Sequence, residues 1–270
     1  MTSCVRLCVQ VEDAVAPDEL AALVEEIDRL EAELSNDGGI SSKEEITFCA
    51  HLVLKSEMCR AFTGQRLFSD LCHDLLAADT ARLYWDQSVY KKPAPEKIFP
   101  FHQDNGYTFI EPQPYLTCWV ALVDATRENG CPNVIPGVHR LGARLHDYDD
   151  HHNGWTVKGL ATENAVCVPA RAGSIVCFSS LTPHMTGANT TDGVRKAYIC
   201  QCVSPSPSPV CVSSPLRLTL AGSARRYAPD GVVSVGNERD ERNLAADPDR
   251  QYYVLENGRP VPPPPMPPVA

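Results

Sequence analysis

Apolar residues recur at three- and four-residue steps through Leu20, Leu23, Val24, Ile27, Leu30 and Leu34, which puts one stripe on one face of a helix. Pro17, Asp18 and Glu19 suit the positive N-terminal end of that helix, and Asn36-Asp37-Gly38-Gly39 stops it. A second helix is predicted over about residues 66–78, with Phe68, Leu71, Cys72 and Leu75 facing inward. From Arg82 onward the texture changes to short β-rich runs at residues 83–89, 115–123, 133–135, 165–169, 174–178 and 196–203, separated by Pro, Gly and Asn. Many short strands with turn punctuation point to a sandwich or barrel with flanking helices, and away from a parallel sheet with crossover helices. Residues 141–160 are polar and aperiodic, so they read as a long loop or lid. The chain closes on Pro260, Pro262 to Pro265, Pro267 and Pro268, a polyproline tail expected not to pack. The expected layout is one domain over residues 1–255, with helices within about 17–78, a β core over about 82–203, the lid at about 141–160, and a Pro-rich tail at 256–270.

Charge narrows the partners. The formal net charge of −10 repels phosphate backbones and anionic membranes, so neither nucleic acid nor a membrane is expected to be bound. The basic pairs Lys91-Lys92 and Arg225-Arg226 are too small to change this and read as solvated surface. The twelve cysteines include no Cys-x-x-Cys, which removes a zinc ribbon and a thioredoxin-type site. Most lie in apolar runs, where a free thiol acts as a small hydrophobe. The start Met1-Thr2-Ser3-Cys4-Val5-Arg6 lacks a basic region followed by an apolar stretch, and no run is long enough to span a bilayer. A reduced, cytoplasmic protein, monomeric or homodimeric, is expected.

Chemistry concentrates in two places. In Phe101-His102-Gln103-Asp104, side chains at i and i+2 of an extended strand point the same way, so His102 and Asp104 would face one metal while Gln103 turns away. By itself the pair carries little, since chance alone gives about half a His-x-Asp in a chain of this composition. The second piece is Thr182-Pro183-His184-Met185-Thr186, with Arg195 eleven residues after His184. Two His and one carboxylate occupy one face of an octahedron and leave three positions open, which suits iron(II) taking a bidentate co-substrate and then O2. The turn-like segment 189–193 would place Arg195 near His184 on an adjacent hairpin strand. A buried guanidinium pointing at such a site needs an anion, and a dicarboxylate held by Arg195 and the Thr186 hydroxyl would supply it. Asn105 and Tyr107, beside the triad, are candidate substrate-facing residues.

These residues carry a family resemblance. The run His102-Gln103-Asp104-Asn105-Gly106-Tyr107, the segment 118–125, Glu128-Asn129-Gly130-Cys131, Ile135-Pro136-Gly137-Val138-His139-Arg140 and Thr182-Pro183-His184 with Arg195 resemble the phytanoyl-CoA dioxygenase family over about residues 11–203. The resemblance implies a double-stranded β-helix core (jelly-roll, cupin-like), iron(II), 2-oxoglutarate contacts from Thr186 and Arg195, and further contacts from Gln87 and Trp119. Val138 departs from the family, which usually has Ser there. Asp104 argues for hydroxylation, because related halogenating enzymes lack this carboxylate; desaturation, epoxidation or cyclisation use the same triad and stay open.

Plainer readings stand beside these. Arg195 could be a strand-end ion pair, Trp119 core, and Gln87 an ordinary strand residue. His139 and Arg140 read as fixing a turn. His146, His151 and His152, with Asp147, Asp149 and Asp150, read as a solvated lid rather than a second metal site. A non-catalytic metal-binding β-helix protein that holds a small molecule would keep the metal ligands but have no need of Arg195 with Thr186. An acyl-CoA substrate would need a basic cleft that this acidic chain does not advertise, so a small secondary metabolite is the expected substrate.

Overall fold

In the computed structural model the described residues are 8–204 except 37, 44, 108, 112–114 and 153, followed by 225–227, 233–235, 247 and 249–268. The strands in chain order are β1 (Cys8–Val11), β2 (Ser41–Lys43), β3 (Ile46–Ala50), β4 (Ala81–Lys91), β5 (Phe99–His102), β6 (Phe109–Glu111), β7 (Leu116–Ala121), β8 (Pro132–Val134) and β9 (His146–Asp149). They continue with β10 (Gly154–Val157), β11 (Val166–Cys167), β12 (Ile175–Ser179), β13 (His184–Thr186), β14 (Arg195–Val203), β15 (Arg225–Tyr227), β16 (Val233–Val235), β17 (Tyr253–Glu256) and β18 (Arg259–Pro260). The helices are α1 (Pro17–Asn36), α2 (Glu57–Thr63), α3 (Arg66–Leu76) and the single turn α4 (Asp104–Tyr107).

A large antiparallel sheet runs β1-β12-β7-β14-β4-β17-β18, with β3 also on β4 and β2 on β3. A smaller antiparallel sheet, β11-β8-β13-β5, completes the double-stranded β-helix. Alternation along the long strands makes the large sheet two-faced. Leu83, Cys118, Val120, Ile175, Tyr198 and Cys200 face outward and pack against Leu23, Ile27 and Leu30 of α1 and Phe62, Phe68 and Cys72 of α2 and α3. Trp119, Ala121, Val176, Phe178 and Ala197 form a separate inner cluster. The cysteines of these runs are buried and free, filling volume as small apolar groups. Asp86 is the polar exception on the outer face: it accepts from Tyr198 Oη at 2.9 Å and Val53 N at 3.1 Å. Burial nevertheless pushes its carboxyl up to about 6.

Several expectations need correction. Residues 141–160 contain the antiparallel hairpin β9–β10, with Trp155 paired to Tyr148 and Val157 to His146, not a structureless loop. Lys91 is not solvated surface: it ends β4 on the inner face with 0% exposure. The side chains of Arg225 and Arg226, and the start of the chain through residue 7, lie outside the described residues. The proline-rich tail packs. Pro260 pairs with Leu255, the Pro263 ring lies where any Cβ on Gly64 would collide with it, and Pro264 O accepts from Arg60 Nε at 2.6 Å. Helix α2, which begins after the Ser56 cap on Cys59 N, builds the receptor for this tail and has no counterpart in the hydrophobic pattern. Among the described residues no helix is long and apolar enough to cross a membrane.

Arg60 joins the tail to the core. It is buried, donates to Val53 O, Asp249 O and Pro264 O, and stacks 4.6 Å from the Tyr252 ring. Arg60→Ala would leave three carbonyls without their charged donor. We expect it to lower unfolding stability by about 2–4 kcal/mol in urea denaturation. A chain ending at Glu256 should share part of that loss; unchanged midpoints for both would show that the tail contributes nothing.

Candidate metal centre and its cavity

His102 and His184 stand opposite each other on β5 and β13, one rung of the small sheet, with ring centroids 4.2 Å apart. Each Nδ1 is tied to the backbone two residues back, His102 to Pro100 O at 2.8 Å and His184 to Thr182 O at 2.9 Å. With Nδ1–H donating, each Nε2 presents a lone pair inward. Asp104 Oδ1 lies 3.5 Å from His102 Nε2 and 3.4 Å from His184 Nε2. Its other oxygen accepts from Thr117 Oγ1 at 2.6 Å and Gln201 Nε2 at 3.1 Å, which orients the free one. Asp104 does not continue the strand, as the i, i+2 argument assumed, but opens α4. The sharing of a face survives because Gln103 is locked outward, its amide donating to Leu181 O and Gly142 O and accepting from Arg144 N.

Electrostatics agree with a cation site. Burial and the neighbouring His184 bring His102 down to about 4. Burial also opposes charge on His184, but Asp104 outweighs it and the pKa is raised. Asp104 pays desolvation too, yet the imidazoles hold it well below the ordinary carboxylate range. A carboxylate that stays ionised with two imidazole nitrogens beside it is the donor set of an octahedral divalent metal with an open face. Among the described residues this is the one group of three or more His, Cys, Asp or Glu close enough to share an ion. His146, His151 and His152 do not form a second. His146 Nε2 accepts from Gln103 N at 3.0 Å, and His151 and His152 donate backbone N–H to Asp149.

The triad lines a cavity of about 500 Å³, together with Gln87, Trp119, Thr186, Arg195 and Tyr107. Arg195 is 1% exposed, and its Nε and Nη1 have no hydrogen-bond partner among the described residues. Its guanidinium lies 5.4 Å from the Trp119 ring, and burial lowers its pKa to about 10. The hairpin expected between His184 and Arg195 is absent. β13 belongs to the small sheet, whereas β14 pairs with β7 and β4. The connection crosses between sheets, and Asn189 fastens it by donating to Lys91 O and Gly193 O. Arg195 therefore enters the cavity from the wall facing the histidines. Gln87 sits in register with Ile199, and Trp119 with Ile199 on its other side. Asn105 is buried and is not among the cavity-lining residues.

The sequence reading missed three residues. Lys91 lies 3.4 and 3.5 Å from Thr186 O and Oγ1, and burial with Arg195 nearby lowers it to about 7. Its place four residues after Gln87 on one strand was the available signal. Thr117 and Gln201, which hold Asp104, sit two residues from Trp119 and Ile199 on inner faces, but nothing local marks them.

The comparisons bear on this geometry. The family model for phytanoyl-CoA dioxygenase (PhyH) matches residues 8–197. The peroxisomal phytanoyl-CoA dioxygenase of Homo sapiens is 33% identical over 112 residues, 39% of this chain and 33% of that protein. A probable phytanoyl-CoA dioxygenase of Caenorhabditis elegans is 33% identical over 108 residues, 37% of this chain and 35% of that protein. The chain thus spans about a third of the length of these curated relatives. Among solved structures, the epimerase SnoN in complex with Fe3+, alpha ketoglutarate and nogalamycin RO superposes with a TM-score of 0.63 at 23% identity, covering 78% of this chain and 86% of that one. That superposition speaks for the fold. The family match covers well over half of the chain, a range that includes His102, Asp104, His184 and Arg195, and the chain belongs to the phytanoyl-CoA dioxygenase family.

Proposed function

We propose that this chain is an iron(II)- and 2-oxoglutarate-dependent dioxygenase that hydroxylates a C–H bond of a small secondary metabolite. The observation that carries the reading is the pairing of an open-faced His102, Asp104 and His184 set with the buried Arg195 guanidinium in the same cavity, two of whose nitrogens have no hydrogen-bond partner among the described residues. A guanidinium so placed is costly without an anion, and a dicarboxylate that reaches a metal at its other end satisfies both. When bound, iron and 2-oxoglutarate supply the oxidation: the keto acid and O2 yield succinate and CO2 as the substrate C–H becomes C–OH.

The protein's part is positioning. His102, Asp104 and His184 would hold the metal, their orientations preset by Pro100 O, Thr182 O, Thr117 and Gln201. Arg195 and Thr186 would take the distal carboxylate, with Lys91 fixing Thr186 from beneath, and Gln87 and Trp119 would form the adjoining walls. Asp104 would supply a ligand where a halogenating enzyme leaves room for halide, which favours hydroxylation. The epimerase SnoN, a fold neighbour, is seen in complex with nogalamycin RO, and a small secondary metabolite substrate here extends that likeness to this chain.

Two measurements test the reading. Metal analysis should find about one iron per chain, with binding lost in His102→Ala and in His184→Ala; stoichiometric iron in either variant removes that residue from the ligand set. Arg195→Ala should weaken 2-oxoglutarate binding by about 2–5 kcal/mol while iron affinity holds. Unchanged 2-oxoglutarate affinity would make Arg195 purely structural.

A further inference from the structure

The cavity has more to say about what it admits. Asp104 and Arg195 are its only Asp, Glu, Lys or Arg lining residues among those described. In the reading above the first is committed to the metal and the second to the co-substrate, so among the described residues no charged lining side chain remains for the substrate. Ten lining residues are Phe, Tyr or Trp, and they include all three tryptophans of the chain, Trp85, Trp119 and Trp155.

These rings form a wall beside the metal ligands. Phe99 and Tyr107 stand edge-on to His102 at 4.8 and 5.1 Å between centroids. They lie nearly parallel to each other at 6.0 Å, and Phe48 extends the wall at 5.8 Å from Phe99. The β9–β10 hairpin adds Tyr148 and Trp155, an edge-to-face pair 5.4 Å apart. That hairpin is held on the metal loop from two points. Tyr107 Oη accepts from Trp155 N at 3.0 Å, and His146 accepts from Gln103 N where Gly106 leaves room for its imidazole. The aromatic cover is thereby fixed relative to the ligand set.

We infer that the substrate is an uncharged, ring-bearing small molecule gripped by Phe48, Phe99, Tyr107, Tyr148 and Trp155. The inference rests on the oxygenase reading and names the substrate class of that same site. A flat apolar ring gains buried area and favourable ring contacts on such walls. A carboxylate or phosphate would lose its hydration there, and among the described lining residues no counter-charge is left to replace it. An acyl-CoA meets a second obstacle: its nucleotide and phosphates exceed a cavity of about 500 Å³ shared with a co-substrate, and would rest on a chain of net charge −10.

Calorimetric titration of the full chain, loaded with iron(II) under anaerobic conditions, tests this. 2-Oxoglutarate is titrated first, then 2-naphthol, 2-naphthoate or octanoyl-CoA in separate runs. 2-Naphthol should bind at least about tenfold more tightly than either anionic probe. Trp155→Ala and Phe99→Ala should each weaken 2-naphthol by about three- to tenfold and leave the 2-oxoglutarate titration unchanged. Trp155 lies on a separate hairpin, so that variant keeps the test usable if Phe99→Ala fails to fold. Naphthoate or octanoyl-CoA binding as tightly as 2-naphthol, or no 2-naphthol binding at all, overturns the inference. A missing 2-oxoglutarate titration in the unmodified protein overturns the oxygenase reading instead, so the two failures are told apart in one experiment.

Discussion

His102 and His184 share one rung of an antiparallel pair, and the candidate chemistry depends on that register. A slip of one residue on either strand would turn one imidazole to the opposite face. The pairing shifts immediately afterward, where Thr186 lies opposite Phe99, so the irregularity falls between the metal ligand and the co-substrate candidate. Such a shift re-aims side chains locally without disturbing the rung before it. The two Nδ1 bonds to carbonyls two residues upstream then remove the remaining freedom of the rings. Geometry, tautomer and direction are all set by backbone, which is stiffer than any side-chain network.

The large sheet supplies the rest by being two different surfaces. Its outer face is an ordinary apolar core, closed by three helices. Its inner face carries Thr117, Gln201, Gln87 and Arg195, polar groups that a core alone would not tolerate without partners. Thr117 and Gln201 find theirs in Asp104. Two nitrogens of Arg195 do not, and stability is the wrong frame for a buried guanidinium left so exposed to its own desolvation. Sites that bind ions carry such local costs because the ligand removes them.

Much of this was legible in the residues. The period of Leu20 to Leu34 and the strand runs around 83–89, 115–123, 174–178 and 196–203 correspond to α1, β4, β7, β12 and β14 within a few residues. His102, Asp104 and His184 were legible through their flanks, which together resemble a family pattern, whereas the His-x-Asp pair alone carries little. What escaped depended on distant chain. Helix α2 is short and its partner is a proline tail some two hundred residues away, so neither half looked structured alone. Lys91 read as surface because a Lys-Lys pair usually is; only the strand's inner face, shared with Gln87, made it buried. The hairpin of β9 and β10 hid in a polar segment because one of its faces is solvated and the other touches a cavity rather than a core. The crossing between β13 and β14 was misjudged because turn residues mark a reversal without saying which sheet the next strand joins.

The central claim is that one cavity holds iron on the His102, Asp104 and His184 face and 2-oxoglutarate between that iron and Arg195. Adding iron(II) and 2-oxoglutarate to the protein without air tests it most directly, read as the weak visible charge-transfer absorption of a keto acid chelated to iron. The account predicts that the absorption develops with one equivalent of each and is absent in His184→Ala. Its absence from the unmodified protein with both components bound, or its persistence in His184→Ala, would contradict the account.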